Sequence, residues 1–264
     1  MKIDRVVFCL NSSPTYSGMW DIVSEVYTKH TNIKPTLVFS GTEKELLDEV
    51  KKDFGEVFLL PKYQSVVSNP SLDWSVTWTA FWAMANLFSD EVCSFSGIDE
   101  IPISDKLWKK IEEVPDDRYV VGLGANPYGN LKHIASGHNC AKGHTFKSIL
   151  EIEDSLEQEL HRIWNIRNDL KHYISAWNAE QMSWWGLDEA YISSKLYGHD
   201  KVVFMNDQWV DEQLQKRKIC RGSNCNYDKQ KLKERYYWTA HMVRPLSDPN
   251  NLKKILQLVE DLEC

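Results

Sequence analysis

The chain has 264 residues, with 31 basic and 38 acidic side chains and a formal net charge of −7. Its hydrophobic fraction of 42% and charged fraction of 26% are those of an ordinary globular protein, and the length suits one large α/β domain or two small ones. The acidic balance argues against general nucleic-acid binding, and no apolar stretch approaches the ~20 residues of a membrane span.

The first half of the chain alternates predicted strands and helices. Thr42 opens a helix as its N-cap, with Glu45 completing a capping box, and an apolar helix is predicted over residues 74–88. Strands separated by helices imply a mostly parallel sheet with helices on its faces, within one α/β domain. The predicted strands are Arg5–Leu10, Pro35–Ser40, Val57–Leu60, Val92–Phe95 and Tyr119–Leu123.

The second half begins with a polar, loop-like segment over residues 127–145. Apolar residues then recur every three or four positions from Ile152 to Ile174, which predicts one long amphipathic helix. A final helix is predicted over residues 250–262. The sequence shows no internal repeat and no linker between two domains.

Six cysteines are spread along the chain. Cys9 and Cys93 lie inside strand-like runs and are expected to be buried thiols, and in a reducing compartment none of the six needs a bridge. Cys220 and Cys225 are spaced more widely than a zinc knuckle. A zinc site that joins them to other ligands is the minority alternative, and the candidates are Cys140, His138 and His144.

The segment with the clearest chemistry follows the fourth predicted strand. Gly97, Asp99 and Glu100 stand where a parallel sheet places its ligands, at the carboxyl end of a strand, and carboxylate oxygens suit a hard cation. The alternative is that these acids only precede a helix over residues 106–114, capped by Ser104–Asp105. After the first strand, the polar residues expected to contact a base or ribose are Asn11, Ser12 and Ser13.

The run of residues 96–104, Ser-Gly-Ile-Asp-Glu-Ile-Pro-Ile-Ser, resembles the metal-binding turn of GT-A glycosyltransferases. It is most similar to a group encoded by large viruses of algae and amoebae, in which Asp-x-Asp precedes an apolar residue, Pro and Ser. Asp99 matches the second Asp, so the resemblance implies that it binds the metal and the donor. Gly97 replaces the first Asp, which is a departure from the family's pattern.

Two later segments resemble the same family. Residues 185–191 look like the acidic turn that opens the helix beneath the acceptor pocket, and residues 240–245 are similar to a His-x-x-Arg-Pro motif whose His is a metal ligand. The resemblance implies one GT-A-like domain, with residues 1–125 as the nucleotide-sugar-binding half and residues 126–264 as the acceptor-binding half. The function that the resemblance implies is that of a glycosyltransferase. Its donor would be a nucleotide-sugar, with UDP the expected nucleotide, and its acceptor a glycan or glycoprotein.

The chemistry expected at the diphosphate follows from these residues. A divalent cation stabilises the charge on a leaving nucleoside diphosphate, and a shell of Asp99 oxygen and His241 nitrogen suits Mn²⁺ better than Mg²⁺. Arg244 is expected to add a planar fork for phosphate. The alternative for His241 is a packed histidine near the final helix.

Asp188 and Glu189 are the candidate catalytic acids. One of them would be the base of an inverting enzyme, or the group that stabilises the transition state of a retaining enzyme, which the resemblance alone slightly favours. Asp188 is preferred because Glu189 lies about 100° further round the helix, towards solvent. The alternative is an acidic first turn that faces the helix dipole. Trp184 and Trp185 are candidate acceptor-sugar platforms, with core packing expected for one of them.

Three other functions stay open. A metal-independent transferase would use Arg244 in place of the cation, and a sugar- or nucleotide-binding module would bind the donor without turnover. A metal-dependent phosphohydrolase would need more clustered carboxylates than the sequence offers. The apolar run over residues 6–10 is too short for a signal peptide. Because the sequence shows no N-terminal anchor, we expect either a cytoplasmic protein, in the host cytoplasm if it is viral, or a piece of a longer chain.

Overall fold

The computed structural model describes residues 1–52, 54–62, 73–122, 133–180, 184–205, 218–219 and 225–263. Ten strands are described, namely β1 (Arg5–Leu10), β2 (Lys34–Ser40), β3 (Glu56–Leu60), β4 (Val92–Phe95), β5 (Glu100–Pro102), β6 (Tyr119–Val121), β7 (Asn139–Lys142), β8 (Val202–Phe204), β9 (Lys218–Ile219) and β10 (Thr239–His241). The described α-helices are α1 (Met19–His30), α2 (Glu43–Glu49), α3 (Trp74–Asn86), α4 (Lys106–Glu112), α5 (Gly143–Leu150), α6 (Leu156–Asn165), α7 (Ala176–Glu180), α8 (Leu187–Leu196), α9 (Lys229–Lys233) and α10 (Pro249–Glu263).

Seven strands form the central sheet in the order β3-β2-β1-β4-β7-β6-β8. Neighbouring strands are parallel except for β7, which runs antiparallel to both β4 and β6. The predicted single α/β domain with a mostly parallel sheet is therefore confirmed. Both predicted halves supply strands to this sheet, while the division at residue 125 stays a prediction.

Alternate side chains of β1 enter two apolar cores. Val6, Phe8 and Leu10 join a cluster built with α1, α4 and α10, whereas Val7 joins a cluster built with α3, α5, α6 and α8. Because both faces of the strand are covered, β1 and β2 read as continuous apolar runs in the sequence. Within the described ranges, no helix combines the length and the apolar character needed to cross a membrane.

Most predicted elements of the first half are present within a few residues. β1 and β4 have the predicted bounds, and α2 carries the predicted capping box between Thr42 and Glu45. α3 ends at Asn86, two residues before the predicted end, and β6 ends at Val121. Leu123, the predicted end of that strand, lies outside the described residues.

The predicted loop over residues 127–145 is present over residues 133–138 but is wrong from residue 139 onwards. Residues 139–142 form β7, and α5 begins at Gly143. The strand looks polar because it begins with Asn139, but the buried amide of this side chain donates to the carbonyl oxygens of Ala135 and Ser136 at 2.8 and 2.6 Å. Residues 127–132 lie outside the described ranges.

The predicted long helix from Ile152 to Ile174 is also wrong, because the segment divides into α6 and a 3₁₀ helix over Arg167–Tyr173. Ser155 caps α6 through a hydrogen bond from the backbone N–H of Gln158. The apolar spacing survives the change of helix type because residues of both pieces face one core. Leu160, Ile163, Leu170 and Ile174 are all buried there.

A second sheet, with the strand order β5-β10-β9, was not predicted. β10 pairs antiparallel with β5, so that His241 lies opposite Glu100. The N–H of Met242 also donates to the carbonyl oxygen of Asp99 at 2.6 Å. This pairing fixes a late segment of the chain against the turn that follows β4.

Candidate functional site

A cleft of about 250 Å³ opens at the carboxyl ends of β1 and β4. This is the edge where parallel sheets bind ligands, and most of the predicted site residues meet there. The predicted residues that line the cleft are Asn11, Asp99, Trp185, Asp188, Glu189, His241 and Arg244.

Asp99 stands at the centre of a charged group in the cleft wall. Its Oδ2 atom lies 2.9 Å from Nε2 of His241 and 3.1 Å from Nη1 of Arg244. Burial raises the pKa of Asp99, but the hydrogen bond from His241 and the charges of His241 and Arg244 outweigh this effect, so the pKa lies below its ordinary value. Asp99 is thus an ionised carboxylate although it is 7% exposed.

The pair of Asp99 and His241 fits a divalent cation that is shared with a ligand. Two neighbouring ligands, each about 2.1 Å from an octahedral cation, lie about 3 Å apart, which matches the separation of Oδ2 and Nε2. No group of three or more His, Cys, Asp or Glu side chains in the described part of the chain is arranged to hold a metal. These two residues therefore suit a cation whose other ligands come from phosphate oxygens and water.

The presence of glycine at position 97 has a local steric reason. A Cβ atom added at this position would lie 3.0 Å from Oδ1 of Asp99, tighter than an ordinary van der Waals contact. A side chain here would press on the carboxylate that His241 and Arg244 contact. The departure from Asp-x-Asp thus leaves the Asp99 carboxylate room at the cleft wall.

Tyr16 is a cleft residue that the sequence analysis missed. The guanidinium of Arg244 lies over its ring at 4.6 Å from the centroid, and Nη1 of Arg244 donates to the Tyr16 hydroxyl. Arg244 is therefore held from two sides, by an aromatic face and by the Asp99 carboxylate. No sequence pattern marks Tyr16, which follows the polar residues after β1.

Asp188 and Glu189 also line the cleft, from the first turn of α8. Asp188 is 4% exposed, and burial, followed by the charge of Glu189, raises its pKa well above the ordinary value. The Glu189 carboxylate is held by His133, whose Nε2 lies 2.5 Å from Oε2, and by the N–H of Ser136, which donates to Oε1 at 2.9 Å. The expectation that Glu189 faces solvent is wrong, because His133 and Ser136 hold its carboxylate at the cleft wall.

The two tryptophans before α8 differ in environment. Trp185 is 40% exposed and lines the cleft, whereas Trp184 is half-buried and packs against the core that contains α3 and α8. The expectation that one of them serves the core thus applies to Trp184. Of the two tryptophans, Trp185 is the one that presents an aromatic surface to a molecule in the cleft.

The three polar residues after β1 do not act together. Asn11 lines the cleft, and its Oδ1 accepts a hydrogen bond from the N–H of Ser13 at 3.0 Å. Ser13 is fully buried, and the hydroxyl of Ser12 donates to Glu45 on the exposed side of the turn. Of the three, Asn11 is the one placed to contact a ligand.

The alternative that Asp99 and Glu100 merely precede a capped helix does not fit their burial. Both are nearly fully buried, and Glu100 lies in β5. Asp105 stands at the N-cap of α4, yet its side chain makes no capping hydrogen bond. The turn is therefore part of the cleft wall.

Asp73 and Ser136 are two further cleft residues that were not predicted. Asp73 caps α3, and its Oδ1 accepts from the N–H of Ser75 at 3.0 Å. An acid before an apolar helical run is a recognisable cap signal, so this position had a sequence signature. Ser136 had none.

The cysteines in the described ranges are free thiols. They are Cys9, Cys93, Cys140 and Cys225. Cys93 and Cys140 are buried, whereas Cys9 is half-buried and lines the cleft. Cys220 and Cys264 lie outside the described residues, so the alternative of a zinc site on Cys220 and Cys225 stays a prediction.

Known structures share this architecture. GlyE, a glycosyltransferase of Streptococcus pneumoniae TIGR4, superposes with a TM-score of 0.53 at 10% identity, covering 100% of this chain and 63% of the GlyE chain. The galactosyltransferase LgtC in complex with donor and acceptor sugar analogs gives a TM-score of 0.55 at 9% identity, covering 98% of this chain and 95% of the other. An active-site mutant of LgtC gives 0.56 with the same identity and coverage.

These likenesses show the fold: the chain is a GT-A-like α/β domain that spans 63% of the length of GlyE. No family model matches the sequence, and no curated protein is significantly similar to it. The expected viral origin stays a prediction.

Proposed function

We propose that the chain is a glycosyltransferase that moves a sugar from a UDP-linked donor to a glycan or glycoprotein acceptor. One observation carries the proposal. Asp99, His241 and Arg244 meet in the wall of the same cleft that Asp188 and Glu189 line. A nucleotide-sugar needs both kinds of group, because its diphosphate is negatively charged and the reacting sugar carbon lies beside it.

The diphosphate end combines a carboxylate, an imidazole and a guanidinium. Asp99 and His241 would hold a divalent cation together with the phosphates, with Mn²⁺ preferred for a mixed O/N shell. That cation would neutralise charge on the departing diphosphate. Arg244, braced by Tyr16, offers N–H groups to a phosphate oxygen in a fixed plane. Asn11 follows β1 on the same wall and would contact the nucleoside.

The sugar would meet two acids with unlike surroundings. Because burial favours its neutral form, Asp188 can donate a hydrogen bond to a sugar hydroxyl, and Glu189 can present negative charge to the carbon at which the bond breaks. This arrangement suits an oxocarbenium-like transition state, and the family resemblance slightly favours retention. Trp185 would support the acceptor sugar by packing its ring against C–H groups.

A metal-independent transferase is the second candidate, and one contact favours it. Nη1 of Arg244 lies 3.1 Å from the same Asp99 oxygen that faces His241, so the positive charge of the guanidinium already balances this carboxylate without a metal ion. In that version Arg244 moves to the diphosphate and no metal is needed.

A binding and turnover experiment separates these candidates. Melting temperatures are measured with a panel of nucleotide-sugars, each with Mn²⁺ and with EDTA, since a ligand that binds only the native state raises the melting temperature. We expect UDP-sugars to stabilise the protein only with Mn²⁺. UDP release in the presence of glycan acceptors then distinguishes a transferase from a binding module, which binds without release.

Two variants assign the effect to Asp99. Asp99→Asn should lower the affinity for UDP with Mn²⁺ by ~10-fold or more, the scale of losses around a metal site. Asp105→Asn changes an exposed acid of the same segment and should bind as the wild type does. Equal affinity in Asp99→Asn and the wild type would contradict the metal assignment, and stabilisation that is equal in EDTA would favour the Arg244 version.

A further inference from the structure

His133 is a buried histidine beside the acidic end of the cleft, and the proposed reaction assigns it no task. It is 4% exposed, and both ring nitrogens have partners. Nδ1 lies 2.8 Å from the carbonyl oxygen of Tyr173. Since a carbonyl oxygen only accepts hydrogen bonds, Nδ1 must carry a proton.

The other nitrogen faces a carboxylate. Nε2 of His133 lies 2.5 Å from Oε2 of Glu189, and two lone pairs at this separation would repel each other, so a proton lies between the two atoms. With Nδ1 already protonated, the pair is either an imidazolium with a carboxylate or a neutral imidazole with a carboxylic acid. In both cases His133 and Glu189 share one proton.

Glu189 is also fixed at its second oxygen. Oε1 accepts a hydrogen bond from the N–H of Ser136 at 2.9 Å and faces the Ser136 hydroxyl at 3.3 Å. A carboxylate held at both oxygens has one orientation, and Glu189 lines the cleft. Asp188, the neighbouring acid, is kept neutral by burial instead, which raises its pKa well above the ordinary value.

We propose that His133 is a positioning residue for the transfer reaction: by sharing a proton with Glu189, it fixes the orientation of that carboxyl group in the cleft. This role rests on the proposed function. It accounts for a histidine at this buried position, since its two ring nitrogens link the Tyr173 carbonyl to Glu189.

A merely structural bridge between the 3₁₀ helix and α8 is the competing explanation. It predicts that removal of His133 destabilises the protein and affects binding and turnover together. The positioning role predicts a loss in kcat with little change in donor KM, because Glu189 acts at the bond-breaking step and not on the diphosphate. The variant His133→Gln also separates the two explanations, because the positioning role predicts that it recovers part of the lost kcat.

The first experiment observes the pair without any ligand. Long-range ¹H–¹⁵N spectra of protein labelled with ¹⁵N-histidine give the protonation of each ring, and the signals of His133 are those lost in His133→Gln. We expect a protonated Nδ1, and an Nε2 resonance that shifts when Glu189→Gln replaces the carboxylate. His199→Gln removes a histidine that pairs with Asp200 at 3.3 Å on the surface, and it should leave the His133 signals unchanged. An unprotonated Nδ1, or an Nε2 resonance that ignores Glu189→Gln, overturns the proposal.

The second experiment measures transfer with the UDP-sugar that gives the largest Mn²⁺-dependent rise in melting temperature. His133→Ala should lower kcat by about 10-fold or more, with donor KM changed less than about 2-fold, and His133→Gln should recover part of the loss because its amide still donates to Glu189. The double variant His133→Ala/Glu189→Gln should be no slower than Glu189→Gln alone, since the two residues act as one unit. His199→Gln should retain the wild-type kcat.

Losses that multiply in the double variant, or a KM that rises as much as kcat falls, overturn the positioning role. Circular dichroism and melting temperatures of every variant establish whether the fold is intact. If His133→Ala fails to fold, the test rests on Glu189→Gln. A wild-type chain that neither binds nor turns over nucleotide-sugars overturns the proposed function, and this role with it. The NMR result then still reports separately on whether the proton is shared.

Discussion

Asp188 and Glu189 are neighbours in the first turn of α8, yet their carboxyl groups differ in what surrounds them. Glu189 is held by a histidine and a backbone N–H, whereas Asp188 is buried beside the charge of Glu189. Adjacent acids with opposed environments divide the tasks of donating and presenting charge. The sequence showed two acids in an acidic first turn, but only their surroundings separate them.

The raised pKa of Asp188 has a consequence for stability. A carboxyl whose pKa is higher in the folded state holds its proton more tightly there, so its contribution is favourable below the ordinary value of 3.8 and is lost as pH rises above it. At pH 7 the native acid therefore lowers the free energy of unfolding. Asp188→Asn should stabilise the protein at pH 7 relative to pH 4, with a slope of at most about 1.4 kcal/mol per pH unit, while lowering kcat by ~10²-fold.

Urea unfolding at pH 4, 5.5 and 7 tests this prediction, with kcat measured from UDP release. Asp105→Asn, at an exposed position, is the control. A stability difference between Asp188→Asn and the wild type that does not grow with pH would show that the acid is ionised in the native state.

Cys9 lines the cleft but should react slowly. Burial raises the pKa of its thiol to about 12, although Thr77 donates a hydrogen bond that opposes the rise. Burial also raises the pKa values of Cys93 and Cys140 above their ordinary range. Since the thiolate is the reactive form, we expect all three to resist iodoacetamide at pH 8 in the native protein.

Peptide mass spectrometry checks the cysteine prediction after alkylation of native and urea-denatured samples. All six cysteines should be labelled in urea without reductant. Rapid native labelling of Cys9 would contradict the raised pKa of its thiol, and cysteines that label in urea only after reduction would reveal a disulfide.

At the scale of elements, the sequence predicted long apolar runs well and short strands poorly. β1 and β4 have no polar residue facing solvent, so their bounds follow from hydropathy alone. β7 has four residues and begins with a buried asparagine, and β5 and β10 have three residues each, too few for a period to appear. The interruption between α6 and the 3₁₀ helix was hidden because apolar spacing continues through it.

Some residues of the candidate site were likewise predicted from the sequence, and others were missed. Asp99, His241, Asp188 and Glu189 were predicted because short motifs surround them, and all four line the cleft. Tyr16, Ser136 and His133 were missed because each gains its role from a contact with a residue distant in sequence. A pattern within a few positions cannot carry that information.

A substitution at Gly143 tests the junction of β7 and α5, where a loop was predicted. A Cβ atom at this glycine would lie 2.3 Å from the carbonyl oxygens of Met84 and Phe88, which are backbone atoms that cannot rotate away. We expect Gly143→Ala to lower the free energy of unfolding by about 2 kcal/mol or more, within the range for overpacking.

Urea denaturation followed by circular dichroism measures the Gly143 effect. Gly198→Ala is the matched control, because Gly198 has open space around it and a φ of +81°, so that the change adds backbone strain alone, about 1 kcal/mol. A smaller loss in Gly143→Ala than in Gly198→Ala would mean that the junction is looser than described.

At the scale of the whole molecule, the cleft draws its walls from both apolar cores. Ile98 belongs to the core that contains α1, α4 and α10, whereas Phe95 and Trp74 belong to the core that contains α3 and α8. A ligand in the cleft therefore contacts groups anchored on both faces of the central sheet. Binding should stiffen segments that are far apart in the sequence.

Hydrogen–deuterium exchange tests this coupling. UDP with Mn²⁺ should slow amide exchange in the segments around Asn11, Asp99 and His241 together, by a factor that follows ligand occupancy. Asp99→Asn should lose the protection in all three segments, and Asp105→Asn should keep it. Protection confined to the segment after β1 would show that the small sheet takes no part in donor binding.

The antiparallel pairing of β5 with β10 also sets an order of events in the life of the protein. The Asp99 turn is made early on the ribosome, while His241 and Arg244 follow only after most of the chain has been translated. Such distant pairings close a long loop and form late. A nascent chain can thus assemble much of the central sheet while it still lacks two of the three charged groups that meet at Asp99, so this part of the cleft is completed only after β10 has been translated and has paired with β5.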